Sequence, residues 1–265
     1  MVRKAYIKQI DYYLPADVVS NEDIVTDFPE WSVEKIARKV GVNKRHVASK
    51  NETASDLAIK AAERLLGKGE VSRDEIDYVL FCTQSPDYFL PTSACIIQDK
   101  LGLRRNIGAL DFNLGCSGYV YGLSLAKGLI SCGVANSVLL LTGETYNKHL
   151  HPKDKGNRTI FGDAASATVI STNGISEIGD FSLGTDGSGA DNLIVRSGGM
   201  RIPEKRCDLS FDENNNPVSS DYLYMNGAEI FTFTLDNVPP LIDDVLSKNG
   251  LAKDDIDLYV FHQAN

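Results

Sequence analysis

The sequence predicts an α/β protein with helices on both sides of its sheets and an architecture built from two related halves. Continuous apolar runs at Tyr78–Cys82, Val138–Thr142, Ala167–Ile170 and Leu258–Phe261 suit strands covered on both faces. Helical patterns such as Thr53–Leu66 alternate with them, which is the order of an α/β fold. The third observation is an internal repeat. Leu65 to Cys82 reappears as Val245 to His262, an ungapped offset of 180 residues.

Each copy reads as the end of an amphipathic helix, a Gly or Asn cap, a short acidic turn and a buried strand. Chance likeness between two helix-turn-strand units is the alternative, since such cap signals are common. Between the copies, Ile107–Phe112 reads as a buried strand and Tyr119–Ser131 as a long apolar helix. The stretch from Asp186 to Ser220 is rich in Gly, Asp, Asn and Ser, with a basic cluster at Arg196, Arg201, Lys205 and Arg206, and reads as an insertion or irregular hairpin near the front of the second half, a kind of loop that commonly shapes the entrance to a site.

The offset places residue 265 opposite residue 85 of the first half. The expectation is a first half over residues 1–172 and the start of a second over 173–265, with about 85 residues of the second half absent, because stacked halves complete one another's sheets. The sequence stops after a predicted strand, at His262-Gln-Ala-Asn265, and a strand tip there would leave apolar surface uncovered.

Composition narrows the class. The chain has 265 residues, 43% hydrophobic and 24% charged, which suits a soluble globular protein with a large core. A net charge of -9 and a pI near 5.0 argue against broad nucleic-acid binding, which needs a basic surface. The N-terminus, Met1-Val-Arg-Lys-Ala-Tyr-Ile-Lys8, carries no apolar leader, and no apolar run is long enough to span a bilayer, so a cytoplasmic protein is expected. Five cysteines, widely spaced and without a C-x-x-C pair, indicate reduced thiols and neither a disulfide framework nor a zinc site.

Cys116 lies in Asp111-Phe-Asn-Leu-Gly-Cys116-Ser-Gly118, at the turn from the predicted strand to the predicted helix. Unpaired backbone N–H groups and the positive end of the helix dipole favour a thiolate there, which makes Cys116 a candidate nucleophile. The alternative is a structural thiol, the reading that suits Cys82, Cys95 and Cys132 in their apolar surroundings. His262, at the tip of the repeated strand, is its candidate partner, since ligands gather at the C-terminal ends of such strands and histidine can deprotonate a thiol or donate to an oxyanion. His46, His149 and His151 stand in polar, loop-like contexts and read as solvated; His149-x-His151 is too short a pattern to argue for a metal.

These residues carry a resemblance. Glu52-Thr-Ala-Ser-Asp-Leu-Ala58, Asn113-Leu-Gly-Cys116-Ser-Gly118, Phe161-Gly-Asp163-Ala-Ala, Met225-Asn-Gly227-Ala-Glu-Ile-Phe231 and His262-Gln-Ala-Asn265 fall in order across nearly the whole chain. In this the sequence resembles the β-ketoacyl-acyl carrier protein synthase III family of condensing enzymes. The resemblance implies a thiolase-like fold, two pseudo-symmetric halves forming a layered αβαβα core, here with its second half incomplete, in a cytoplasmic homodimer. It implies an acyltransferase of fatty acid initiation that needs no cofactor. Cys116 would take an acyl group from acyl-CoA, and the thioester would condense with the carbanion left by decarboxylation of malonyl-acyl carrier protein.

By the same resemblance His262 is one donor to the developing oxyanion. The family's second donor, an Asn beyond that histidine, has no counterpart in this sequence, Asn265 being a different position, and the C-terminal glycine loop of the acylation oxyanion hole is also unmatched. The chain as given is therefore expected to be inactive or badly impaired. Trp31 and Lys155, with Arg158 nearby, fall where the family holds the CoA adenine between a Trp and an Arg. Gly227, Phe231, Ala264 and Asn265 match residues lining the pantetheine tunnel; Phe231 reads equally as a core aromatic. Phe89 and Leu90 are candidates to close the acyl pocket across a dimer, and Thr232 stands where the family has a basic residue that docks the acidic carrier protein. A polyketide or specialised-metabolite synthase using the same pair, a non-catalytic partner subunit and a cysteine hydrolase are the alternatives; the hydrolase lacks its C-G-S-C-W signature.

Overall fold

A computed structural model of the chain describes residues 3–213 and 215–262. In chain order the elements are β1 (Tyr6–Tyr13), β2 (Asp17–Ser20), α1 (Asn21–Asp27), α2 (Val33–Val40), β3 (Lys44–Val47), α3 (Ala54–Gly67), β4 (Tyr78–Cys82), α4 (Ser93–Lys100), β5 (Gly108–Phe112), α5 (Gly118–Ser131), β6 (Ser137–Glu144), α6 (Lys155–Ile160), β7 (Ala164–Ser171) and β8 (Ser176–Glu177). Four two-residue strands follow, β9 (Leu193–Ile194), β10 (Ser210–Phe211), β11 (Pro217–Val218) and β12 (Tyr224–Met225), and then the long α7 (Gly227–Asn249). Among the described residues no helix is long and apolar enough to cross a membrane.

The chain divides into two compact units. The first takes in residues 1–18, 46–146 and 162–178. Its centre is a six-stranded sheet in the order β5-β4-β6-β7-β1-β8. β4 pairs in parallel with both β5 and β6, Leu80 standing opposite Leu110 on one side and Leu140 on the other, while β7 runs antiparallel to β6 and β1. The predicted strands at 78–82, 107–112, 138–142 and 167–170 are all present, and the last two extend further at both ends.

The core forms because the helix faces are small or branched where the sheet is bulky. α3 lays Leu57, Ala58, Ala61, Ala62 and Leu65 on Val79, Phe81, Leu139, Leu141, Ala167 and Val169, all fully buried. Its start is set by a reciprocal cap: the Thr53 hydroxyl accepts from the Asp56 N–H, and the Asp56 carboxylate accepts from the Thr53 N–H. At the head of α4 the Asp111 carboxylate accepts the N–H groups of Ser93 and Ala94, each at 2.6 Å, tying β5 to the helix that covers it. α5 packs on the opposite face and approaches closely: a Cβ on Gly122 would lie 2.5 Å from Leu140 Cδ1.

The second unit takes in residues 19–45, 147–161 and 179–265. α1 and α2 bury Ile24, Phe28 and Ile36, with Trp31 packed against them. Arg45 is buried among acceptors, with Nη1 on Asn21 Oδ1 at 2.7 Å and Nε on the Thr159 carbonyl at 2.9 Å. The Asp186–Ser220 stretch is irregular, as its composition predicts. Asp221 organises part of it by accepting from the Ser197 hydroxyl and the N–H groups of Arg206 and Cys207. α7 starts at the Asn226 cap, contains Pro239 and Pro240, and ends at Gly250 with φ +66°.

The repeat is visible in the structure until its strand. In both copies a helix ends and a 3-10 turn follows, Arg73–Glu75 and Lys253–Asp255, closed by an acidic side chain: Ser72 N–H donates to Glu75 Oε1 at 2.9 Å, and Ala252 N–H to Asp255 Oδ2 at 2.8 Å. The first copy then enters β4. The second does not: Leu258–Phe261 forms no strand, and Leu258 and Val260 are 76% and 84% exposed, against the expectation of a buried strand. A parallel strand needs hydrogen-bonding neighbours. β4 has two, β5 and β6, both contributed by later chain, and the described residues provide none to 258–261. Two further expectations are corrected. Cys95, on α4, and Cys132, which caps the end of α5, are exposed, and His151 is buried, its ring edge-on to Tyr222 with centroids 4.8 Å apart and Nδ1 accepting from the Lys153 N–H.

Candidate active site

β5 delivers the chain to a tight turn in which the Gly118 N–H donates to the Gly115 carbonyl at 2.8 Å, and α5 begins at Gly118. Cys116 lies in that turn and is exposed, as the strand-to-helix reading expected. Cys82, at the tip of β4, lies directly beneath: a Cβ on Gly118 would fall 2.3 Å from its sulfur, and its S–H donates to the Leu114 carbonyl. Burial, reinforced by the negative charge of Glu144, pushes the Cys82 thiol up to about 11. The two thiols stand in opposite environments, and only the one in the turn meets solvent.

Three residues beside the turn had not been singled out from the sequence. Glu144 ends β6 and accepts the Gln84 N–H at 2.7 Å and the Ser85 hydroxyl at 2.8 Å. Burial raises its carboxyl to about 7 against those two bonds, and the charge of buried Asp163 adds to the rise. The Tyr146 hydroxyl donates to Gln84 Oε1 at 3.3 Å, and burial, with the electrostatic influence of Glu144 and Cys116, pushes the phenol up to about 12. The Gln84 carboxamide lies over Gly115, where a Cβ would sit 2.7 Å from Oε1. A carboxylate at the tip of the apolar run from Val138 is the one sequence signal that points here.

Most of the other predicted residues fall in the second unit. Trp31 packs beside Phe28, with Lys35 Nζ 5.6 Å from its ring. Lys155, at the head of α6, pairs with Glu30 at 2.5 Å and lies 5.9 Å from the Phe28 ring, so the structure brings Lys155 to the segment carrying Trp31. Arg158 pairs with Asp27 on the same segment. Gly227 opens α7; Phe231, one turn on, is half exposed and not a core aromatic. Thr232 lines a cavity of about 410 Å³ with Asp186, Glu229 and Asp236, an acidic wall. His262 is exposed, and Ala264 and Asn265 lie outside the described residues. Phe89 and Leu90, in the loop before α4 in the first unit, are 79% and 83% exposed. Among the described residues no group of three or more His, Cys, Asp or Glu side chains is placed to hold a metal ion.

Comparison with known proteins gives one family. A family model described as 3-oxoacyl-[acyl-carrier-protein] synthase III matches residues 110–187, the segment containing the Cys116 turn and Glu144. A β-ketoacyl-[acyl-carrier-protein] synthase III of Clostridium perfringens is 37% identical over 254 residues, covering 96% of this chain and 75% of the relative. Among solved structures, a 3-oxoacyl-(acyl-carrier-protein) synthase III superposes with a TM-score of 0.96 at 48% identity, over 99% of this chain and 79% of the other. A 3-oxoacyl-(acyl-carrier protein) synthase of Burkholderia xenovorans superposes at 0.88 with 38% identity, over 100% and 74%. With its mixed sheet between α3 and α5 and its exposed cysteine in the turn before α5, this chain belongs to the β-ketoacyl-acyl carrier protein synthase III family of thiolase-fold condensing enzymes.

Proposed function

We propose that the protein catalyses decarboxylative Claisen condensation of an acyl-CoA primer with malonyl-acyl carrier protein, giving 3-oxoacyl-acyl carrier protein and CO2 at the start of fatty acid synthesis. The observation that carries this is the solvent-exposed Cys116 thiol in the strand-to-helix turn, set against the buried and inert Cys82. In the first stage the Cys116 sulfur attacks the thioester carbon, the sulfur–acyl bond forms, and the CoA–acyl bond breaks to release CoA, which takes up a proton. In the second, the malonyl carboxylate leaves as CO2, and its bonding electrons become the carbanion that attacks the acyl-enzyme, freeing the Cys116 thiolate. Preorganised donors to the thioester oxygen supply much of the acceleration of such steps, and His262 is assigned as one of them.

Trp31 and Lys155 are assigned to the CoA nucleotide, and Gly227, Phe231, Ala264 and Asn265 to the pantetheine arm. The tie from Lys155 to Glu30, adjacent to Trp31, supports the first assignment. The halves are assigned to residues 1–172 and 173–265, the enzyme to a cytoplasmic homodimer, and the reaction to proceed with acyl-CoA and malonyl-acyl carrier protein and no separate cofactor. Because the chain as given lacks counterparts of the second oxyanion donor and of the glycine loop, the test is the intact mass of the full-length protein after incubation with acetyl-CoA, beside Cys116→Ala. Gain of one acetyl group only when Cys116 is present, lost again on adding malonyl-acyl carrier protein, is the expected result; no adduct with any acyl-CoA would remove the acyl-enzyme and the reading with it.

A further inference from the structure

One carboxylate laces together the strand tips beside Cys116. Glu144, the last residue of β6, accepts the Gln84 N–H on Oε1 and the Ser85 hydroxyl on Oε2, so both of its oxygens are bonded to the segment that follows β4. That segment carries the Gln84 side chain, whose Oε1 accepts from the Tyr146 hydroxyl and whose carboxamide lies over Gly115, the residue before Cys116. The contacts run without a break from Glu144 through Gln84 to the turn that presents the nucleophile. The titratable groups around the carboxyl come from four segments: Cys82 at the tip of β4, Asp163 just before β7, Tyr146 just after β6 and Cys116 ahead of α5. None of the four is a cation. Glu144 and Cys116 both act on the Tyr146 phenol, which puts the two within electrostatic reach of one oxygen.

We propose that Glu144 is a positioning residue for the nucleophile: its two hydrogen bonds hold the Gln84 carboxamide on Gly115 and fix the turn, and its charge, when present, holds back the thiolate of Cys116. This rests on the acyl-enzyme reading above and adds to it the group that tunes the nucleophile. The neutral carboxyl keeps the same geometry, because the Ser85 hydroxyl can rotate to accept from a protonated Oε2 while the Gln84 N–H still donates to Oε1. Only the charge then changes. Burial raises the carboxyl to about 7, so the charge appears near neutral pH. A carboxylate and a thiolate in one poorly solvated corner repel, and Cys116 gives up its proton more readily while Glu144 keeps its own.

The test follows alkylation of Cys116 by iodoacetamide in the full-length protein between about pH 5.5 and 9.5, read by mass on the Cys116 peptide, in the wild type and Glu144→Gln. Wild-type rates should rise with pH, slow their rise near pH 7 as Glu144 ionises, and then rise again. Glu144→Gln keeps an acceptor for the Gln84 N–H and cannot titrate, so it should show one ionisation, with the apparent thiol pKa lower by about half a unit or more. In turnover of acetyl-CoA with malonyl-acyl carrier protein, Glu144→Ala, which removes both bonds, should lose about tenfold or more in kcat with KM within about threefold, and Glu144→Gln should recover most of that loss. Ser85→Ala removes one bond and keeps the carboxyl; it should lose less, and it gives the reading if Glu144→Ala does not fold. Superimposable alkylation profiles for wild type and Glu144→Gln, or a kcat within about twofold of wild type in both alanine variants, would overturn the inference and leave the acyl-enzyme reading standing. A wild type alkylated at Cys116 but never acylated by acetyl-CoA would overturn that reading instead.

Discussion

Glu144 accepts the backbone N–H of Gln84 at 2.7 Å, a bond between residues 60 positions apart that joins the tips of two neighbouring strands beside Cys116. The carboxylate is buried there, with its carboxyl raised from 4.5 to about 7, desolvation outweighing the two hydrogen bonds it accepts. Its titration has a definite sign. Between the unfolded and folded values the native state holds the proton more tightly than the unfolded chain, so stability falls as pH rises from about 4.5 to about 7. Glu144→Gln cannot titrate. The wild-type stability minus that of Glu144→Gln should therefore decline across this window by on the order of 3 kcal/mol, at ~1.4 kcal/mol per pKa unit. Denaturant midpoints at pH 5 and pH 7.5 check it; a difference independent of pH would show that the carboxyl is not raised.

Gly118→Ala puts a methyl 2.3 Å from the Cys82 sulfur, in a place where neither strand β4 nor helix α5 can withdraw freely. The expected cost is about 1–3 kcal/mol of stability, the range of core overpacking. Cys82→Ala on its own removes a buried sulfur, but in the Gly118→Ala background it should return part of the loss. The double-mutant cycle measures this: additive costs would mean the two positions do not touch.

Thiol chemistry should separate Cys116 from Cys82. At pH 7.5 iodoacetamide should alkylate Cys116 in the native protein and leave Cys82 untouched, because Cys82 is buried and its thiol lies near 11. Peptide mass mapping with and without denaturant reads both sites; native labelling of Cys82 would contradict its burial.

Arg45→Met strands the acceptors that the guanidinium serves, Asn21 Oδ1 and the Thr159 carbonyl, inside the second unit. The methionine fills the volume but donates nothing. A loss of about 2–4 kcal/mol is expected, most of it the desolvation of partners left unpaired. Urea unfolding of the variant checks this, and a loss below about 0.5 kcal/mol, the level of an ordinary surface change, would assign the network no structural weight.

Lys155→Glu reverses the charge beside Trp31 and opposes Glu30, its present partner at 2.5 Å. On the nucleotide assignment, KM for acetyl-CoA should rise by about tenfold or more while kcat changes by less than about threefold, since the interaction is the same in ground and transition states. Equal KM for wild type and variant would remove Lys155 from the CoA site.

Local chemistry was enough to place much of this protein. Thr53 and Asp56 announce the start of α3 within four residues, the glycines around Cys116 announce a turn between strand and helix, and both copies of the repeat form the same capped 3-10 turn, since each depends only on neighbours along the chain. What the sequence left open depends on distant partners. Tyr78–Cys82 and Leu258–Phe261 carry similar apolar runs, yet only the first becomes a strand, because a strand's hydrogen bonds belong to its neighbours and only β4 has them. Cys116 is recognisable from its own turn, but the groups beside it are not: Gln84, Glu144 and Tyr146 meet through sheet pairing across about 60 residues, and Lys155 reaches Glu30 across 125. Burial and the proximity of charge, which raise Glu144 and Tyr146, arise only when the sheet assembles and excludes water.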